Sequence, residues 1–393
     1  MASERLFTPR FVALWLFQFL TFFGVFQLLP VIPLRIIDLG GSKAAAGLFL
    51  TAYTIASALS APIMGTIADH FGRRRMLVIA SVLFIVFSVA YGFVPWLPVV
   101  LLIGVIHGSL WSAILSAAGA IMTDYIPAAR RTEGLAYWGL APTAAIAIAP
   151  MVGLYVYKFG WMTLCLELAV ISAITSVWSS RLPVDEKREA RAIPKINEWW
   201  DWRVIATTLS LATIAFGHGG VTSYMTIYSR ERNIQPESIF FTAFALATVF
   251  VRVFFSRIAD RVSTRAFLYP ALAVIPVSFA LLATSHSRAQ LVVAASLFGA
   301  GMGASFPSFM TFVVAHSDAA SRARTFGSII WAFDTGIGVG SAATGFIGQR
   351  WGLATAWGVW AAVSCLAIPL FALTSRRLVR GTDVAETAGH AGT

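Results

Sequence analysis
The chain has 393 residues, of which 58% are hydrophobic and only 12% charged, against roughly 25% charged in an ordinary soluble domain. That balance excludes water as the main solvent, and with it a soluble enzyme. The net charge of +11 is spread between apolar runs and not gathered on a soluble face, so it calls for no nucleic-acid partner.

Apolar runs long enough to cross a hydrocarbon core, about 20 residues each, number twelve. They cover 11–34, 45–66, 76–94, 98–122, 134–156, 161–180, 204–228, 238–256, 266–284, 290–314, 325–347 and 354–374. Lipid offers no partner for free backbone groups, so these unalternating runs read as helices and not barrel strands. The first begins directly after Arg10 and is too long for a signal-peptide core, so it is expected to be retained. Cys165 and Cys365 fall inside spans 6 and 12, where a thiol serves as a small apolar filler. No disulfide, metal or other cofactor is expected.

Between the spans lie the charges. With both termini on one side, 21 of the 29 Lys and Arg fall on that side, seven fall on the other, and Arg252 lies within a span. The positive-inside bias puts both termini in the cytoplasm. The mixed-charge segment from Pro183 to Arg191 divides the chain into six spans and six. The expected organisation is a six-helix bundle over 1–182, a linker over 183–202, a second bundle over 203–375 and a cytoplasmic tail over 376–393.

The halves repeat. A shift of 191 residues superposes Gly65 on Ser256, Ala68 on Ala259, Asp69 on Asp260, Gly72 on Ser263 and Arg74 on Arg265. A shift of 193 superposes Arg131, Thr132 and Gly134 on Arg324, Thr325 and Gly327. Two charged loops in register, each after the second or fourth span of its half, report one duplication. The stretch Gly65-Thr66-Ile67-Ala68-Asp69-His70-Phe71-Gly72-Arg73-Arg74-Arg75 carries a further signal. It matches, at its diagnostic positions, the loop motif after helix 2 of the major facilitator superfamily, and the chain resembles that family over essentially its whole length.

The resemblance implies an all-α membrane protein of twelve transmembrane helices in two pseudo-symmetric bundles, working as a transporter. It implies that Gly65, Asp69, Gly72, Arg73 and Arg74, with Asp260 and Arg265 in the second copy, form a loop that latches one conformation. Glycines permit close approach and a tight turn there, Asp69 accepts hydrogen bonds from a helix start or an arginine, and arginines hold the anionic leaflet. Antiporters of the family carry a glycine-rich motif in helix 5. Here Ala149-Pro150-Met151-Val152-Gly153 keeps Pro150 and Gly153 but not the flanking glycines. The arginine that the family often places on helix 4, four residues before a glycine, is replaced by Gly104 ahead of Gly108.

Candidates for chemistry are few. Only Glu167 and Asp334, among the 18 acids, lie well inside apolar runs, where a carboxylate costs at least about 2.5 kcal/mol on insertion scales. Asp334 is near the midplane of span 11, and its first-half counterpart is Ala141. It ranks first for proton coupling, with Arg252 on span 8 as the candidate partner. Glu167 lies towards the outer end of span 6, a helix that the resemblance puts at the periphery, which favours a structural role. His107 on span 4 and His218 on span 7 fall mid-membrane and titrate near neutral pH in the free amino acid. The resemblance places helices 1, 4, 7 and 10 around a central cavity. They would line it with Gln18, Phe22 and Gln27; Trp111 and Ser112; Tyr224; Met302, Phe306 and Phe309. Aromatic walls with few polar hooks suit amphipathic organic molecules.

No phosphate-cradling loop, zinc-binding histidine pair or nucleophile elbow is present. The expectation is a secondary transporter of the bacterial inner membrane, a monomer that exchanges a small amphipathic compound for protons. A symporter or facilitator for a small nutrient or organic anion is the alternative, and a non-transporting receptor a distant one.

Overall fold
The computed structural model describes residues 5–127, 130–183, 201–255, 264–316 and 322–376. Asp260 and most of the linker and tail lie outside these segments.

Helices run the length of the described chain: α1 Pro9–Leu28, α2 Ile32–Asp38, α3 Lys43–Phe71, α4 Arg73–Phe93, α5 Leu97–Tyr125, α6 Arg131–Tyr157 and α7 Trp161–Ser180. After the linker come α8 Trp202–Glu231, α9 Ile239–Phe250, α10 Thr264–Ala283, α11 Arg288–Ala315, α12 Arg322–Trp351 and α13 Leu353–Ser364. The chain is helical again over 367–376. Local chemistry sets several ends. Thr8 caps α1, accepting from the Phe11 amide at 3.2 Å with proline at the first turn. Asp201 caps α8 through the Arg203 amide at 3.0 Å. One glycine at positive φ separates α3 from α4, where Gly72 has φ +94°, and another separates α12 from α13.

Among the described residues, ten helical segments are long and apolar enough to cross a membrane, from Pro9–Asp38 to Leu353–Arg376. Two expected spans fall short of that standard. Ile239–Phe254 is brief and runs up to residues outside the description. The other, α12, is full length but rich in glycine, serine and threonine, for reasons of packing given below. On α7, Leu166, Val170, Ile174 and Val177 recur at helical spacing and are exposed, which is the apolar stripe a helix turns to lipid.

The chain divides into two compact units: 1–41 with 55–193, and 42–54 with 194–393. In the first, α1 packs on α6 and α7, and α4 packs on α5 and α7. In the second, α8 packs along α12, and α10 packs on α11 and α13. The α8–α12 seam is made of missing side chains. A Cβ on Gly219 would lie 1.9 Å from the Ile337 carbonyl oxygen, and one on Gly340 would lie 2.0 Å from that of Phe216. Gly336 and Gly340 are four residues apart, the small-residue spacing that lets membrane helices touch by their backbones. Close approach therefore explains why α12 is the least apolar of the long helices.

Residues 42–54, assigned by sequence to the first bundle, group with the second unit for a related reason. A Cβ on Gly47 would lie 2.5 Å from the Ser341 carbonyl oxygen. Thr51 Oγ1 donates to the Gly338 carbonyl at 2.7 Å, and Ser341 Oγ donates to that of Gly47 at 3.0 Å. Tyr224 OH donates to the Lys43 carbonyl at 2.6 Å, and Lys43 pairs with Glu231.

Candidate functional site
The loop motif builds a clamp within the first unit. Asp69 lies in the last turn of α3, and the left-handed Gly72 reverses the chain so that Arg73 opens α4 within reach of it. Arg73 Nε lies 2.7 Å from Asp69 Oδ1, and Arg73 Nη1 lies 3.0 Å from Asp124 Oδ2 at the end of α5. One guanidinium thus ties three helices. Beyond the following connection, Arg130 hydrogen-bonds Glu133 in the first turn of α6 and holds its carboxyl below the usual range. Replacing Gly72 by valine forces a branched residue to φ +94°, a strain of about 1–3 kcal/mol. The expected result is a measurable fall in melting temperature, larger than that of valine at the ordinary helical position Gly358, which has open space around its Cβ. In the second copy, Arg265 lies over the Phe312 ring at 5.2 Å.

The sequence-selected cavity residues separate into several environments. Trp111 meets Phe22 edge to face at 4.6 Å, and Ser112 Oγ lies 2.9 Å from Ser60 Oγ. Gln18 is buried, with its Oε1 lacking a hydrogen-bond partner among the described residues. Others are engaged in packing within their own unit. Tyr224 is fully buried and committed to the Lys43 carbonyl, in a slot floored by Gly47 and Gly345. Phe309 is fully buried against Phe371 at 5.9 Å, because it sits on the side of α11 turned towards the end of the chain. Met302 is buried and Phe306 half-buried. Pro150 is buried within α6, which stays helical through it.

His107 is walled in by α4. Phe84 lies 4.2 Å from its ring and Phe87 5.6 Å, and Tyr91 OH is 3.3 Å from Nδ1. It borders a small cavity of about 20 Å³ with Ser81, Ser88, Ser172 and Thr175, room for about one water molecule. This is the interior of the first unit, where His107, a proton-coupling candidate by sequence, is packed and hydrogen-bonded.

In the second unit, His218 on α8 faces Phe298 at 5.7 Å, Phe244 at 6.2 Å and Phe333 at 6.2 Å. Phe333 in turn meets Phe306 at 4.9 Å. The next residue, Asp334, is half-buried, two residues before the seam glycine Gly336. Among the described residues no ion pair or hydrogen bond joins it to Arg252, its candidate partner by sequence. Arg252 instead lies in the widened π-helical turn Val251–Phe255 that extends α9. Sequence reading missed two features entirely, namely the glycine seam, signalled by the Gly336/Gly340 spacing, and the pairing of Gln27 with Glu167 at 3.4 Å.

All-helical units, apolar lipid-facing stripes and a Gly-Asp-Gly-Arg loop between the second and third long helices converge on one class of protein. The family model described as Major Facilitator Superfamily matches residues 14–320 and 238–391. The chain belongs to the major facilitator superfamily. Members of that family are transporters and not enzymes, and this chain is a multi-pass membrane protein. It is 24% identical over 236 residues to the quinolone resistance protein NorA of Staphylococcus aureus, a match covering 56% of this chain and 59% of NorA. An uncharacterised MFS-type transporter of Methanocaldococcus jannaschii is 20% identical over 359 residues, covering 87% of this chain and 92% of the relative. Among solved structures, the nucleoside transporter NupG superposes with a TM-score of 0.72 at 15% identity, covering 93% of this chain and 99% of NupG, a likeness of fold alone.

Proposed function
We propose that this transporter exports a small amphipathic organic compound in exchange for protons, by alternating access, from a bacterial inner membrane with both of its termini in the cytoplasm. The observation that carries the reading is Asp334. It is a half-buried acid inside a membrane helix, without an ion pair or hydrogen bond among the described residues, next to the aromatic run Phe333, Phe306, His218 and Phe298. An intramembrane carboxyl with no structural partner is expensive to keep unless it takes up and gives back a proton. The similarity to NorA, named for quinolone resistance, supports export, as do the retained Pro150 and Gly153 of helix 5. The aromatic run supports an amphipathic cargo, and the charge bias supports the orientation.

Direction and coupling are tested together with purified protein in liposomes. Compounds that raise its melting temperature are first identified, then labelled and offered to vesicles carrying a pH gradient. Exchange predicts uptake into vesicles that are acid inside, abolished by a protonophore. Uptake driven by acid outside would replace exchange with symport, and uptake indifferent to the gradient would make the protein a facilitator.

A further inference from the structure
The first unit holds a second intramembrane acid in a setting unlike that of Asp334. Glu167 is on α7 at the edge of its lipid-facing stripe, and its carboxyl is turned in against α1. There Gln27 is fully buried, and its Nε2 donates to Glu167 Oε1 at 3.4 Å. The other two oxygens of the pair, Gln27 Oε1 and Glu167 Oε2, are both buried and both lack a hydrogen-bond partner among the described residues. Each of these oxygens is an acceptor when the acid is ionised, so neither can satisfy the other, and an unsatisfied buried carboxylate oxygen is a costly arrangement.

A third helix explains why Gln27 is held there. A Cβ on Gly153 of α6 would lie 2.7 Å from the Gln27 carbonyl oxygen and 2.9 Å from its Cα. The glycine kept from the helix 5 motif thus admits the backbone of α1 at the position of Gln27. The groups on neighbouring elements do not complete the pair. Arg35 on α2 lies over the Trp161 ring at 5.8 Å. Tyr91 on α4 is directed to His107 on α5, and Tyr157 on α6 is directed to Asp38. Cys165, on α7 itself, is buried on the side facing Gly92 of α4. No ion pair reaches Glu167 among the described residues.

We propose that Gln27 and Glu167 form a proton-binding pair, in which one proton on Glu167 donates to Gln27 Oε1 while Gln27 Nε2 donates to Glu167 Oε1. The pair closes a two-way link between α1 and α7 over Gly153. A single hydrogen supplies the missing donor for both orphan oxygens at once. A divalent calcium or magnesium ion would need about six or more oxygen ligands, and the site presents two free acceptors. Loss of the proton leaves acceptors facing acceptors and loosens α1 from α7.

The proton is read by infrared spectroscopy of the purified full chain at neutral pH, in an Asp334→Asn background that removes the other intramembrane acid. The expected spectrum contains a protonated-carboxyl band that disappears in E167Q, while the melting temperature of E167Q is unchanged. Its amide reproduces the donor and acceptor of the protonated acid. In E167D the shorter acid no longer reaches Gln27, so the band shifts, which provides a second reading if E167Q does not fold. Loss of an ionised-carboxylate band in E167Q, or a carboxyl signal that depends on sodium, would overturn the proposal. The measurement needs no substrate and no transport, so its failure leaves the role of Asp334 untouched.

Discussion
Asp334→Asn is expected to abolish proton-driven transport while leaving exchange of labelled substrate across the membrane intact. Asparagine keeps the size and polarity of aspartate but neither gains nor loses a proton near neutral pH. Because Asp334 makes no ion pair and no hydrogen bond among the described residues, the change strands no structural partner and should cost little stability. In liposomes the variant should show counterflow at close to the wild-type rate. Accumulation against a concentration gradient should fall at least about 10-fold, equivalent to about 1.4 kcal/mol of lost driving free energy. If the variant still concentrates substrate at the wild-type rate under a pH gradient, Asp334 is not the coupling acid. Arg252→Gln serves as the comparison. With no pair to Asp334 in this conformation, it is expected to alter rate without abolishing coupling.

The second large effect concerns folding. Gly340→Val places a branched side chain where even a Cβ would meet the Phe216 backbone, with contacts at 2.0, 2.3 and 2.5 Å to its carbonyl oxygen, Cα and carbonyl carbon. Those atoms belong to α8 and cannot rotate away as a side chain would. Overpacking usually costs about 1–3 kcal/mol, and an immovable backbone puts this case at the top of that range or beyond it. At about 2–4 °C per kcal/mol for units of this size, the melting temperature should drop by roughly 6–12 °C, or the protein should fail to accumulate. Gly219→Ala, 1.9 Å from the Ile337 carbonyl oxygen, should behave alike. Gly358→Ala meets nothing within 4 Å and should be neutral or slightly stabilising. Equal melting temperatures for the Gly340 and Gly358 variants would refute the seam.

Much of the architecture was legible because lipid imposes it. An apolar run of about 20 residues has one stable form in hydrocarbon, and the loop between α3 and α4 stood out because charges are rare in this chain. Within that loop, Arg73 is the donor to Asp69. The candidate site was legible as a list of residue types but not as an arrangement. His107 and His218 look alike in sequence, each a lone histidine in the middle of a span. Packing separates them. His107 is enclosed by three aromatic residues of α4 and bonded to Tyr91, whereas His218 stands among Phe244, Phe298 and Phe333 from three different helices.

Tyr224 and Gln27 teach the same lesson, since each is polar and lies on a helix that the family resemblance places around the cavity. A helix has a full circumference, and one residue every 100° lands on a different neighbour. Tyr224 turned to Lys43, and Gln27 turned to Glu167.

The sequence alone determined the solvent, the helical class and the family, because each rests on composition or on local spacing. Tertiary structure decided which polar groups meet. It left Asp334 apart from Arg252, brought Glu167 to Gln27 across 140 residues, and grouped 42–54 with the second unit through contacts at Gly47. Those outcomes depend on how closely two backbones approach, and that is set by the absence of a Cβ on one helix opposite a carbonyl on another.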